Sequence, residues 1–196
     1  MTGDSAWYVE SRDFGKTWGP RITVAPSFNE TNIAQAADGT LFTLMRQDGE
    51  LGVRRMFGTS FSQDGGKTWA RWRWAGVQGK MPDLLTLPSG RILLAIGAEG
   101  LTDGSQVMTT KTRNSFSTLF ISDNNGQSWK RDIPFEPVTP DSTILPADSP
   151  VMCTLGGNKI LVVIQGIDRA SKSRLFGFGE GMSLLANVIE PSMPLR

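Results

Sequence analysis

The chain has 196 residues, with 20 Lys+Arg against 19 Asp+Glu, no His and one Cys, Cys153. That length suits one domain with a sizeable core, and the balanced charge gives no reason to expect a nucleic-acid partner or a charged tail. The lack of His removes the commonest metal ligand and general base, so no metal or other cofactor is expected, and a lone Cys cannot close an intrachain disulfide.

The first residues, Met1-Thr2-Gly3-Asp4-Ser5, show neither the basic nor the apolar stretch of an export signal. A cytoplasmic location is the default expectation. Short apolar runs bounded by Gly, Pro, Asn and Asp predict many short strands joined by turns, an all-β chain. Residues 6–10 read as a strand running into Ser11-Arg12-Asp13-Phe14-Gly15-Lys16-Thr17-Trp18, and 21–25 as the strand leaving it. The chain thus starts midway through a repeat unit. A complete unit follows: strand 31–36, a turn at Ala37-Asp38-Gly39, strand 40–46, a loop, strand 55–62, then Ser62-Gln63-Asp64-Gly65-Gly66-Lys67-Thr68-Trp69 and an outgoing strand 71–75. The next unit repeats this order with strands 83–87 and 91–96 about Pro88-Ser89-Gly90, a polar loop 97–114, strand 116–122, Ser122-Asp123-Asn124-Asn125-Gly126-Gln127-Ser128-Trp129 and strand 129–133. A third unit opens with strands 150–155 and 159–165. Its pattern then fades, and no motif stands at Gly177-Phe178-Gly179-Glu180-Gly181, where the next would fall. The apolar runs 92–98 and 160–164 are far too short to cross a bilayer as helices, so no membrane is expected.

The three motifs share Ser-x-(Asp/Asn)-x-Gly-x-(Thr/Ser)-Trp, at Ser11, Asp13, Gly15, Thr17 and Trp18, at Ser62, Asp64, Gly66, Thr68 and Trp69, and at Ser122, Asn124, Gly126, Ser128 and Trp129. Their starts lie roughly 50 to 60 residues apart, the period of propeller blades. Each component suits a hairpin clasp. The Gly takes a left-handed backbone conformation. The Asp or Asn accepts from N–H groups two or three residues on, and the hydroxyls satisfy further turn groups. The Trp anchors the next strand through apolar area. None of this requires a ligand.

These motifs are similar to the Asp-box (bacterial neuraminidase, BNR) repeats of sialidase-like β-propellers, and the resemblance covers about residues 6–165. Leu84-Leu85-Thr86-Leu87-Pro88-Ser89-Gly90-Arg91-Ile92-Leu93-Leu94 also looks like that family's blades. The resemblance implies a sialidase-like β-propeller with about three blades, half of a six-bladed ring: an outer half-blade in 1–27, blades in 28–78 and 79–137, an inner half-blade in 138–170, and a degenerate strand and tail in 171–196. It further implies a glycan ligand, such as an acidic sugar, in an axial pocket, exo-glycosidase chemistry if the chain is an enzyme, and relatives that are often secreted. Half a ring exposes sheet edges and blade faces, which soluble proteins avoid. The expectation is a homodimer in which 150–165 of one copy complete a blade with 8–25 of the other; a fragment of a larger protein is the alternative.

Alternation puts the boxes and the first turn of each unit at one end of the sheets. The other loops, where the resemblance places the catalytic face, lie at the opposite end. The candidates there are Asn29, Glu30, Arg46, Asp48, Asp83, Glu99, Asp103, Asp148, Gln165, Asp168 and Arg169. Arg46 ends an apolar strand, and its planar fork suits a carboxylate. The resemblance would make it like one of three arginines that grip sialic acid, with Asp48 and Arg169 as further substrate-binding candidates. The competing reading is a rim Arg paired with Glu30 or Asp48. Glu30 and Asp83 are the candidates for two-carboxylate glycosidase work. The family's Tyr nucleophile and acid/base loop have no match: the only Tyr, Tyr8, precedes the first box, and Pro20-Arg21-Ile22-Thr23 resembles the Phe-Arg-Ile-Pro motif only superficially. A non-catalytic scaffold for proteins or carbohydrates is therefore the rival function.

Overall fold

The computed structural model describes residues 4–47, 56–97, 118–134, 144–157, 159–168 and 182–189, and no helix occurs among them. Four antiparallel sheets follow one another along the chain. The first pairs β1 (Ser5–Tyr8) with β2 (Ile22–Pro26). The second runs β3 (Thr31–Gln35), β4 (Leu41–Arg46), β5 (Met56–Ser62), β6 (Arg73–Gln78). The third runs β7 (Lys80–Thr86), β8 (Ile92–Gly97), β9 (Thr118–Ser122), β10 (Lys130–Pro134). The fourth runs β11 (Ile144–Gly156), β12 (Lys159–Asp168), β13 (Met182–Ile189). Strand order equals chain order in every sheet, as in propeller blades.

Three apolar layers lie between successive sheets. Ala6, Ala25, Phe28 and Met45 join the first sheet to the second. Phe42, Leu44, Phe57, Ile92, Leu94 and Ile96 join the second to the third. Leu93, Ala95, Ile160, Val162 and Ile164 join the third to the fourth. β8 is buried on both faces, with alternate residues in different layers, which is why its sequence is a continuous apolar run. Each buried Ile or Leu of this run contributes about 1.5–3 kcal/mol relative to exposure.

Several strands depart from their expected limits. β6 starts at Arg73; Trp72 precedes it and packs edge-on between Phe28 and Trp74, with ring centroids 5.1 Å from each. β7 starts at Lys80, because its ladder with β8 continues past an irregularity around Met81, whose φ is 47°. β11 begins at Ile144, upstream of the expected residue 150. β13 pairs with β12 from Ile160↔Ile189 to Ile167↔Met182 and supplies the fourth sheet with a third strand. The glycine-rich run at 177–181 lies outside the described residues.

Candidate functional site

All three boxes close in the same way. In the first, Gly15 N–H donates to Ser11 Oγ (2.8 Å), Ser11 Oγ donates to Asp13 (2.9 Å), and Asp13 accepts from Thr17 N–H (2.8 Å) and Thr17 Oγ1 (2.6 Å). The second repeats this with Gly66, Ser62, Asp64 and Thr68 at 2.8, 2.8, 2.9 and 2.5 Å. In the third, Asn124 Oδ1 accepts from Ser128 N–H (2.9 Å) while its amide donates to Ser128 Oγ (2.8 Å). The carboxylate or amide reaches four residues on, not two or three. The longer reach follows from two consecutive left-handed residues inside each loop: Phe14 and Gly15, Gly65 and Gly66, Asn125 and Gly126. The hydrogen bonds from Thr17 and Thr68, side chain first, hold the Asp13 and Asp64 carboxyls at about 2.

The boxes share one end of the sheets with the first turns. Asn125 donates to Asp38 (2.8 Å), and Arg91 pairs with Asp123 (2.8 Å). Arg46 therefore lies at the opposite end, since it closes the strand that begins just after the Asp38 turn. Its Nη1 donates to Glu30 (2.6 Å) and its Nε to Asn29 Oδ1 (3.2 Å). Glu30, one of the two expected partners, is met; Asp48, the other, lies outside the described residues. The other Glu30 oxygen accepts from Met81 N–H (2.8 Å), on β7 of the third sheet. Both members of the pair are largely buried, with side chains 12% and 24% exposed.

Two residues beyond Met81, Asp83 accepts from Asn32 Nδ2 (3.0 Å) of the second sheet and from Met152 N–H (2.6 Å) of the fourth. One carboxylate thus ties three sheets together. Burial pushes its pKa up, against the downward pull of those two hydrogen bonds. Ser149 Oγ completes the cluster with a contact to Met81 Sδ at 2.7 Å. Met81 and Ser149 each precede a buried proline, and each has a positive φ, 47° and 48°. Non-glycine backbone of this kind carries strain of the sort found at functional sites.

Glu30, Arg46, Asn29 and Asp83 are thus brought into one connected cluster. Each oxygen of the two carboxylates already accepts a hydrogen bond. Asp148 faces Gln165, and Asp168 faces Ile144, in the β11–β12 ladder. Glu99, Asp103 and Arg169 lie outside the described residues. Asn32, Met81 and Ser149 were not among the sequence candidates; the Met81-Pro82 and Ser149-Pro150 pairs were the available signal. Among the described residues, no three acidic, His or Cys side chains gather as a metal site. No helix there is long and apolar enough to cross a membrane.

The family model described as BNR/Asp-box repeat matches residues 60–71 and 120–131, the second and third boxes. The chain carries Asp-box repeats on the blades of a β-propeller fold. Solved structures share its fold. A Dyadobacter fermentans protein described as of unknown function is 21% identical with a TM-score of 0.65, covering 96% of this chain and 46% of its own. An α-L-arabinanase of Penicillium chrysogenum complexed with arabinobiose is 17% identical with a TM-score of 0.57, and the α-L-arabinofuranosidase Arb93A of Fusarium graminearum is 15% identical with a TM-score of 0.57. For both, 84% of this chain and 46% of the other are covered. The chain therefore spans about half the length of those structures, a partial propeller. No curated protein matches it by sequence.

Proposed function

We propose that this propeller binds a glycan at the end opposite its boxes, with Arg46 as the principal polar contact. The observation that carries the reading is the Arg46–Glu30–Met81 chain of hydrogen bonds, which fixes a guanidinium at the strand end where sheets converge. The two carbohydrate-active neighbours bind or act on arabinose-containing sugars, and an acidic sugar would add a carboxylate for the Arg46 fork. We propose no hydrolytic role for Glu30 or Asp83: each is engaged as a tie between sheets, and removal of either would disturb the blades before any chemistry. This engagement also favours the second reading, a non-catalytic binding scaffold. In this proposal a second copy closes the ring.

Calorimetric titration with arabino-oligosaccharides and with sialosides tests this reading. Binding weakened about tenfold or more in Arg46→Ala supports it. Absence of heat for both sugar classes at millimolar concentration would sink it. Release of fluorophore from an aryl glycoside, retained in Arg46→Ala and abolished in Glu30→Gln, would overturn the non-hydrolytic part.

A further inference from the structure

Met81 stands apart from the other methionines of the described sheets. Met45 and Met152 are 0% and 7% exposed, and both belong to the apolar layers. Met56 is partly buried at the start of β5. Met81 is 37% exposed, at the end opposite the boxes, and its neighbours there are polar. Its N–H donates to Glu30, which holds Arg46 at 2.6 Å, and its Sδ lies 2.7 Å from Ser149 Oγ. Two residues on, Asp83 carries the ties to Asn32 and to Met152 N–H. The thioether is thus an apolar group set among the hydrogen bonds of Arg46, Asn29, Glu30 and Asp83.

Backbone and hydroxyl together fix this sulfur. Met81 has a φ of 47° and is followed by Pro82, and Ser149 has a φ of 48° and is followed by Pro150. The proline after each residue narrows the conformations to which its backbone could relax. The sulfur therefore meets Ser149 Oγ from a held position. A thioether sulfur carries two lone pairs and is a weak acceptor. The Ser149 hydroxyl donates to one of them, which leaves the other as the side from which an oxidant reaches the sulfur.

Resting on the proposed glycan site at Arg46, we propose that Met81 is a modification site, where a peroxide converts the thioether to a single epimer of the sulfoxide and so weakens sugar binding. In this step the free sulfur lone pair attacks one peroxide oxygen, the O–O bond breaks and an S–O bond forms. Sulfur is oxidised and the peroxide reduced; the departing hydroxide takes the proton of the transferred oxygen and leaves as water. An apolar, flexible group becomes a polar, chiral one, and sulfoxide reductases, one for each epimer, restore it. The added oxygen must give up its water before the C–H face of a sugar lies against position 81, and that cost falls beside the Arg46 guanidinium. Ser149 is the positioning residue: it selects the epimer and does not itself react.

The test treats the full chain with hydrogen peroxide and maps each methionine-containing peptide by mass. Position 81 is expected to gain oxygen before positions 45 and 152; the reverse order overturns the site. The oxidised peptide is then divided between the two epimer-specific reductases. One is expected to restore nearly all of it and the other almost none, whereas Ser149→Ala should leave a mixture that each restores in part. A mixture in the wild type, or a single epimer in Ser149→Ala, overturns the steering by Ser149. Calorimetric titration with the same sugars before and after peroxide reads the consequence. Wild-type affinity is expected to fall about fivefold or more, and Met81→Leu to keep its own starting affinity through the same treatment. A wild-type affinity that peroxide leaves unchanged overturns the switch, and so does an equal fall in Met81→Leu. Absence of sugar binding before peroxide defeats the proposed function and the switch built on it, while the modification site and its epimer are decided by the mass map alone.

Discussion

The second and third boxes are nearly identical loops set in unequal surroundings. The third leans on Phe42, fully buried, with Trp129 6.3 Å from that ring. The second leans on Tyr8, partly exposed, with Trp69 5.9 Å away. Asn125 of the third box is tied to the Asp38 turn, while the second lies beside an open cleft. Loop geometry is therefore set inside the box, by its Ser, Asp or Asn, Gly and hydroxyl, whereas the stability each box confers depends on the sheet beneath it. Even the indoles differ: Trp69 Nε1 donates to Gly66 O at 3.1 Å, and Trp129 Nε1 has no acceptor among the described residues.

The largest expected effect follows from the aromatic residues below the boxes. Phe42→Ala should destabilise by about 3–5 kcal/mol, since it empties a closed layer. Tyr8→Ala should lower stability by only about 1–2 kcal/mol, because solvent already reaches its site. Guanidinium unfolding of the two variants measures the gap. Equal losses would mean that the two layers are equally closed, and the comparison would fail.

The opposite end tests whether sheets are tied one to the next or as a set. Asp83→Ala leaves Met152 N–H and the Asn32 amide without their acceptor, and should cost about 2–3 kcal/mol. Its pH dependence has a definite sign. Burial raises the folded-state pKa of Asp83, so the folded protein binds this proton more tightly than the unfolded chain does. Its contribution to stability is full below the unfolded value and declines as pH rises from there through the folded-state value. Asp83→Asn should remove that component, measurable as a flatter thermal midpoint as pH rises above the ordinary carboxylate range. An unchanged profile would remove Asp83 as its source.

Which parts were legible beforehand follows from the range of the interactions. Ile92 to Ile96 read as a strand buried on both faces because alternation and apolar content are local. The boxes were legible because their hydrogen bonds span four residues at most. The Asp83–Met152 and Glu30–Met81 bonds join residues 69 and 51 positions apart, and their geometry exists only once sheets have stacked. The left-handed turns at Met81 and Ser149 were obscured for a related reason: a residue before proline ordinarily prefers extended backbone. For Arg46, sequence offered Glu30 and Asp48 as partners, and packing brings Glu30 to 2.6 Å.

A smaller effect separates the first box from the second. Phe14 holds a φ of 59° where the second box has Gly65 at 72°, and its ring is fully exposed. Phe14→Gly should therefore stabilise by about 0.5–1 kcal/mol, despite the gain in unfolded-state freedom, because left-handed backbone costs a side chain about 1–2 kcal/mol. Urea unfolding would register it as a higher midpoint with unchanged slope. A lower midpoint would show that the Phe14 ring makes contacts that outweigh its backbone strain.

The finest test compares Asp64 with Asn124, the same position in adjacent boxes. Asp64 has its pKa lowered to about 2, chiefly by Thr68, and therefore stabilises the folded state fully above the ordinary carboxylate range. That contribution is lost as pH falls from about 3.8 through about 2, whereas Asn124 does not titrate. Asp64→Asn should accordingly reduce the fall in thermal midpoint between pH 4 and pH 2.5 and leave it almost unchanged at pH 7, because Asn124 shows that the amide makes both bonds to the residue four on. Asn124→Asp should steepen the same fall. If both variants kept the wild-type acid profile, the carboxylate would be an ordinary solvated group, and the two boxes would be equivalent in acid as they are in shape.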